Sequence, residues 1–330
     1  MKKYGRQSAI VLSLLLILLL FPMNAFAAGS IDLSRDVSLT ISYQHGNTPL
    51  TGAQFDLYLV ATVDECGELT TTKDFALFNV NIRGSNDEAW KTLASTLEGY
   101  VLRDGLKPAD SGITNKNGLA AFPTSGKTLT KGLYLVLGSR LTQNGHRYDP
   151  APFMVLLPVQ DKESNTWNYN VTANAKYDSS IVSGDDTINR KVLKVWKDDG
   201  YEKERPKEVV VQLLRNGKIY DTVTLSANNS WRHTWTDLSD KYTWTVVEKE
   251  LNGYTAEVTR EGITYVITNT YDADAPVKPT PTSPSSPSGP AQKLPQTGQL
   301  WWPVPLLLCA GLLFVVIGLV RRRGMENEKK

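Results

Sequence analysis

The chain has 330 residues, a formal net charge of +2 and 21% charged residues, a balance that gives no case for a nucleic-acid partner. It has two cysteines; Cys309 falls in an apolar C-terminal run, so an exported form keeps Cys66 alone and has no internal disulfide. His45, His146 and His233 stand singly without metal-ligand spacing, and no glycine-rich phosphate loop follows a strand. No cofactor, no metal and no turnover chemistry are expected.

At the N-terminus, Lys2, Lys3 and Arg6 precede an apolar stretch at 9–21, and Ala25-Phe26-Ala27 puts small residues where signal peptidase reads. Residues 1–27 are therefore expected to be removed between Ala27 and Ala28, sending the chain out of the cell. The next segment, 28–178, reads mostly as strand. Val37, Leu39, Ile41 and Tyr43 alternate with polar residues, and Phe55, Leu57 and Leu59 continue the period of two. Trp90, Leu93, Leu97, Tyr100 and Val101 instead fall on one helical face, with Asn86 or Asp87 placed to cap it. Runs at 132–137, 153–157 and 167–177 return to strand, which predicts a β-sandwich with a helical insertion. Cys66, in Asp64-Glu65-Cys66-Gly67, reads as a solvated loop residue, with a reactive thiol as the alternative.

The polar stretch 179–189 reads as a linker. Residues 190–271 form short, regularly spaced strands with an Asn216-Gly217 hairpin signal, as in a small immunoglobulin-like sandwich. The fold class expected is all-β, two sandwiches in tandem. Pro276, Pro279, Pro281, Pro284, Pro287 and Pro290 then make 272–293 an extended spacer, at roughly 3.1 Å per residue. Residues 294–330 begin with Leu294-Pro295-Gln296-Thr297-Gly298. The uncharged run 301–320 follows, long enough to cross a bilayer at about 30 Å as a helix. The tail 321–330 opens with Arg321-Arg322-Arg323, which stops transfer.

Three polar residues point toward the core of the second sandwich. Lys194 shares its strand face with Val192 and Trp196. Glu248 shares its face with Tyr242, Trp244 and Val246, and Asn269 with Ile263, Tyr265, Ile267 and Tyr271. Burial lowers the pKa of a lysine and raises that of a glutamate, so both can sit neutral. A neutral amine is a nucleophile, and a protonated carboxyl can polarise a carboxamide. An amide between Lys194 and Asn269, with loss of ammonia, is one consequence; a buried ion pair beside a hydrogen-bonded asparagine is the other. The first domain offers no such set, because its opening strand 37–43 lacks a lysine and Leu137-Gly138 stands where a carboxylate would be needed. It offers Lys176 instead, on the outward face of its last strand.

Residues 294–330 resemble the LPXTG cell-wall sorting signal of Gram-positive surface proteins. The resemblance implies that a sortase cuts between Thr297 and Gly298, passing the threonine carbonyl to an amine on a peptidoglycan precursor or a neighbouring subunit. The protein is then extracellular and wall-anchored, held by the membrane only before sorting. Leu193-Lys194-Val195-Trp196, Arg205-Pro206, Thr245-Val246-Val247-Glu248 with Gly253-Tyr254, and Ile267-Thr268-Asn269-Thr270 resemble the Cna B-type domain of Gram-positive adhesins and pilins. That resemblance implies an intramolecular isopeptide bond between Lys194 and Asn269, catalysed once by Glu248. Trp167, Val171 and Lys176 resemble the pilin motif, although Asn174-Ala175 replaces its usual Tyr-Pro. Residues 52–58 and 117–122 also look like pilin N-terminal domains. Together they imply a sortase-anchored pilus subunit with Lys176 as acceptor for the next subunit; the proline-rich spacer and two-domain size favour a basal or minor subunit, with a short backbone subunit as the alternative. The alternative is a stand-alone adhesin whose helical insertion recognises a host protein or glycan.

Overall fold

A computed structural model describes residues 29–273 apart from 162, 163, 165, 183 and 185. The signal segment with Ala27 and Ala28, the proline-rich spacer from residue 274 on, and the sorting signal Leu294 to Gly298 with its span and tail lie outside the described residues. Among the described residues no helix is long and apolar enough to cross a membrane.

The first domain is a sandwich with a helix laid on its outside. In one sheet Ser38–Ser42 lies between Asn170–Asn174, parallel, and Leu119–Phe122, antiparallel. In the other, Gln54–Val63 pairs with Gly132–Gly138, Leu69–Thr71 and Asp110–Ile113, and Phe153–Leu157 is added outside Gly132–Gly138. Strand Gln54–Val63 is apolar on both faces, and alternation sends the two sets to different places. Phe55 and Leu57 join Leu39, Ile41, Tyr43 and Phe122 between the sheets. Tyr58 and Val60 look outward and pack against Leu93, Ala94, Leu97, Tyr100 and Val101 of the helix.

That helix, α1, runs Asp87–Asp104. Asn86 caps it by accepting the Ala89 amide at 2.9 Å, and Gly105 ends it in the left-handed region at φ 63°, where glycine carries no Cβ penalty.

Two boundaries differ from the sequence reading. The expected strand 167–177 is broken into Thr166–Asn168 and Asn170–Asn174, and a further strand, Tyr177–Ile181, pairs with His146–Pro150. This last strand runs into the stretch read as linker, leaving only 182–186 before the next strand begins at Thr187. Ser179 and Ser180 look linker-like because the strand is exposed, while its backbone is satisfied by His146–Pro150.

In the second domain Arg232–Ser239, Thr187–Lys197, Thr264–Tyr271 and Tyr254–Glu261 form one sheet, in that order, and Lys218–Ser226, Glu208–Arg215 and Trp244–Glu248 the other. Asn216 and Gly217 turn the hairpin at φ 48° and 77°, the two positive values that a two-residue type I′ turn requires. Val192, Val211, Leu213, Leu225, Trp235, Val246 and Ile267 fill the space between the sheets.

The two domains share a seam built on α1. Strand Trp244–Glu248 is buried along its whole length, because its outer face meets the helix and Val247 joins the helix's apolar cluster. The free edge of Tyr254–Glu261 is also covered. The Val258 amide donates to Thr96 Oγ1 at 2.8 Å, and the Ala256 amide to the Asn79 carbonyl at 3.2 Å, so the edge offers no open ladder there. Arg103 forks onto both Glu250 oxygens at 3.0 and 2.6 Å, and Arg140 and Arg147 both reach Asp240.

Glu98 sits half-buried on this helix, with the charges of Arg260 and Asp149 bearing on it, and burial pushes its pKa up to about 7. A carboxyl raised on folding favours the neutral form. Its stabilising contribution is therefore complete below the ordinary value of 4.5 and is lost as pH rises through about 7. One pKa unit is worth about 1.4 kcal/mol, which partial exposure and Arg260 reduce to roughly 1–2 kcal/mol for the whole shift. Glu98→Gln is expected to raise the melting temperature at about pH 8 and to flatten its fall between about pH 5 and 8. Equal pH dependence in the two proteins would remove Glu98 as the cause.

Candidate functional site

The first and last strands of the second domain lie side by side and parallel, with Lys194 opposite Ile267 and Trp196 opposite Asn269. Parallel strands at the two ends of a domain bring residues far apart in sequence to adjacent positions. Glu248 comes from the facing sheet. Lys194, Glu248 and Asn269 are 4%, 2% and 0% exposed, so all three inward polar residues meet in one dry place. Asn269 Nδ2 donates to Glu248 Oε1 at 2.6 Å. Lys194 Nζ stands 3.7 Å from Glu248 Oε2, longer than a hydrogen bond. It donates instead to the carbonyls of Val195, at 3.0 Å, and Ile267, at 3.3 Å. Glu248 Oε2 and Asn269 Oδ1 find no hydrogen-bond donor among the described residues.

Desolvation dominates the electrostatics. Burial lowers the Lys194 pKa and raises that of Glu248, each against the attraction of the other. Both shifts favour the uncharged pair. The carboxyl faces the carboxamide nitrogen, whereas the sequence reading had it polarise the carbonyl. It stands between the two nitrogens, hydrogen-bonded to Nδ2 and 3.7 Å from Nζ.

An aromatic wall closes the site. Trp196 lies under Lys194 Nζ, 4.3 Å from the ring centroid, and Trp231 and Tyr254 meet its ring edge-on at 5.2 and 5.3 Å. Arg205 stands over the same ring at 5.2 Å and forks onto Asp198 at 2.9 and 2.5 Å. The sequence reading missed Asp198, because Lys197-Asp198-Asp199-Gly200 looks like an ordinary charged turn, yet its side chain is 2% exposed. Tyr242 and Ile263, assigned to inward faces, are exposed, since the strands begin only at Trp244 and Thr264.

Lys176 is exposed, between Asn170–Asn174 and Tyr177–Ile181. Its carbonyl accepts the Ala151 amide at 2.8 Å. Two residues on, Asp178 comes within 4.0 Å of Arg260, which puts Lys176 close to the seam. Cys66 is exposed in its loop, where its amide donates to Asp64 Oδ1 at 2.9 Å. His45 pairs with Tyr177 and His233 packs on Trp235. Among the described residues no group of three His, Cys, Asp or Glu is arranged to hold a metal. The first domain has a buried carboxylate of its own, Asp110. There, hydrogen bonds from Thr124 and Lys127 outweigh desolvation and keep the pKa low, and among the described residues no side-chain amide is bonded to it.

Two tandem β-sandwiches, the second with an amine, a carboxyl and a carboxamide buried between its two sheets, define the class of protein. Residues 38–173 match the Gram-positive pilin subunit D1, N-terminal domain, and residues 190–270 the Cna protein B-type domain. By these two matches the chain is similar to a Gram-positive pilin N-terminal domain followed by a Cna B-type domain. It is similar to the Collagen adhesin of Staphylococcus aureus, 33% identical over 141 residues, which is 37% of this chain and 12% of that protein. It is also similar to the full-length major pilin SpaD from Corynebacterium diphtheriae, at 18% identity over 73% of this chain and 66% of that one, with a TM-score of 0.30. For the SpaB basal pilin from Lactobacillus rhamnosus GG the figures are 15% identity, 44% and 99% coverage, and a TM-score of 0.27.

Proposed function

We propose that this protein is a sortase-anchored structural subunit of a Gram-positive pilus, basal or minor rather than backbone, whose second domain is locked by a Lys194–Asn269 isopeptide bond. The observation that carries the reading is the buried cluster of Lys194 and Asn269, on adjacent parallel end strands, with Glu248 from the facing sheet. The neutral Nζ attacks the Asn269 side-chain carbonyl carbon. Glu248 takes the proton released from Nζ on Oε2 and gives one from Oε1 to Nδ2, which leaves as ammonia. The carboxyl is regenerated, and amine plus carboxamide become a secondary amide plus ammonia. The dry surroundings that keep the amine neutral also keep out the water that would hydrolyse the intermediate. The reaction happens once per chain and is maturation, not turnover.

The crosslink suits a load-bearing subunit. Force entering at Thr187–Lys197 passes through Lys194 to Asn269 and out toward the proline-rich spacer, so residues 195–268 are relieved of it. Thr297 is then the outgoing linkage, to a peptidoglycan precursor or a neighbouring pilin, and Lys176 the incoming one. The mature protein is expected to weigh one ammonia less than its sequence. Wall digests blotted for this protein are expected to give a detergent-resistant ladder that disappears in Lys176→Ala. A single band near the mature mass would instead make it a monomeric adhesin.

The adhesin reading draws on the similarity to the Collagen adhesin. Its proposed recognition element, the helical insertion, is occupied: Leu93, Ala94, Leu97, Tyr100 and Val101 are buried, and Thr96 and Arg103 are bonded to the second domain. A host ligand would have to use the exposed side of the helix, with Asp87, Glu88 and Lys91, or another surface.

A further inference from the structure

Among the described residues, Asp198 comes next after Glu248 among the carboxylates whose charge bears most on Lys194. Its side chain is 2% exposed, and it lies four residues beyond the lysine, where the strand Thr187–Lys197 has ended. Alone, it would attract a proton to Lys194 and hold it as an ammonium ion, which is no nucleophile. It is not alone. Arg205 takes both its oxygens, at 2.9 and 2.5 Å, while the Tyr254 hydroxyl reaches Oδ2 at 3.4 Å. Arg205 also stacks on Trp196, the ring beneath Lys194 Nζ.

We infer that Arg205 is a positioning residue for the crosslink: by pairing with Asp198 it keeps that carboxylate from holding a proton on Lys194, and by stacking on Trp196 it holds that ring against the lysine. The inference rests on the Lys194–Asn269 amide proposed above. The charged and titratable groups facing Lys194 are Glu248 from the opposite sheet, Asp198 and Arg205 from the segment after its own strand, and Tyr254 through its bond to Asp198. The three charged groups do not act alike. Asp198 and Glu248 favour the ammonium form, and Arg205 opposes it directly as well as through Asp198. The desolvated amine therefore depends on a balance in which removing the single arginine acts twice in one direction.

The test follows loss of ammonia by intact mass in full-length chain made by cell-free synthesis, sampled with time at several pH values. Arg205→Met preserves an apolar stem over Trp196 and leaves Asp198 unpaired. It is expected to crosslink on the order of tenfold more slowly near neutral pH, the change in free amine for one pKa unit. It should recover as pH rises toward about 9, where more of the amine is free. The double variant Asp198→Asn/Arg205→Met should return close to the unaltered rate, and so should Arg205→Lys, which retains a cation for Asp198. Arg205→Met reacting as fast as the unaltered chain would overturn the inference. A rate equally slow at every pH and unrescued by Asp198→Asn would do the same, since it describes lost packing only. If the unaltered chain itself keeps its full sequence mass, the amide reading falls, and this inference with it.

Discussion

Glu248→Ala is expected to leave the chain at its full sequence mass and to lower the melting temperature of the second domain by tens of degrees. The crosslink closes a loop of about 75 residues between Lys194 and Asn269, and loop-closure entropy for that length is about 4–5 kcal/mol. In a domain of this size each kcal/mol moves the melting temperature by about 4–8 °C, which gives roughly 20–30 °C for the loss. Intact mass and calorimetry read the two effects separately. The buried ion pair, the other arrangement open to these side chains, makes a different prediction. Breaking such a pair costs about 3–5 kcal/mol, but the unaltered chain and Glu248→Ala would then share the full mass. A Glu248→Ala chain that still loses ammonia would show that another group relays the proton.

Gly99→Leu is expected to break the seam between the domains. A Cβ at Gly99 would lie 3.1 Å from both the Val246 carbonyl oxygen and Val247 Cβ. Backbone cannot move aside as a flexible side-chain end can, and a whole isobutyl group must go where even a methyl is tight. Overpacking alone costs about 1–3 kcal/mol, but the seam is one surface. Pushing α1 away also parts Thr96 from Val258 and Arg103 from Glu250, an ion pair whose side chains are 9% and 8% exposed, although Arg103 keeps Asp104 on its own helix. The expected result is separate melting of two domains, fast hydrogen exchange at the Val258 and Ala256 amides, and proteolysis within 182–186. The crosslink should persist, because its groups lie on the inner faces of the second sandwich. One cooperative transition with a protected Val258 amide would mean that the seam contributes little.

Much of the site was legible because strand alternation is strict. Lys194, Glu248 and Asn269 each shared a face with aromatic or branched apolar residues, and a period of two leaves a side chain no third direction. The same rule placed Lys176 outward. Alternation is a poorer guide to strand Trp244–Glu248, which is buried on both faces. Val247 lies on the outer one, and nothing local says which element covers it. Asp198 was illegible for another reason. Charges in a turn look alike whether water or a neighbouring guanidinium solvates them, and only the fold brings the Arg205 guanidinium over Trp196 and onto the Asp198 carboxylate.

The sequence by itself determined the strand periods, the helix with a cap at Asn86 or Asp87, the Asn216-Gly217 turn and the inward set of Lys194, Glu248 and Asn269, all consequences of residues within a few positions of one another. Only the tertiary structure decided that Lys194 and Asn269 come from adjacent parallel strands, that Glu248 faces the amide nitrogen, and that α1 is shared between two domains. Those contacts join residues tens to more than a hundred positions apart. Their partners are selected by which apolar faces and free edges remain to be covered once each local element has formed, and no local pattern records that.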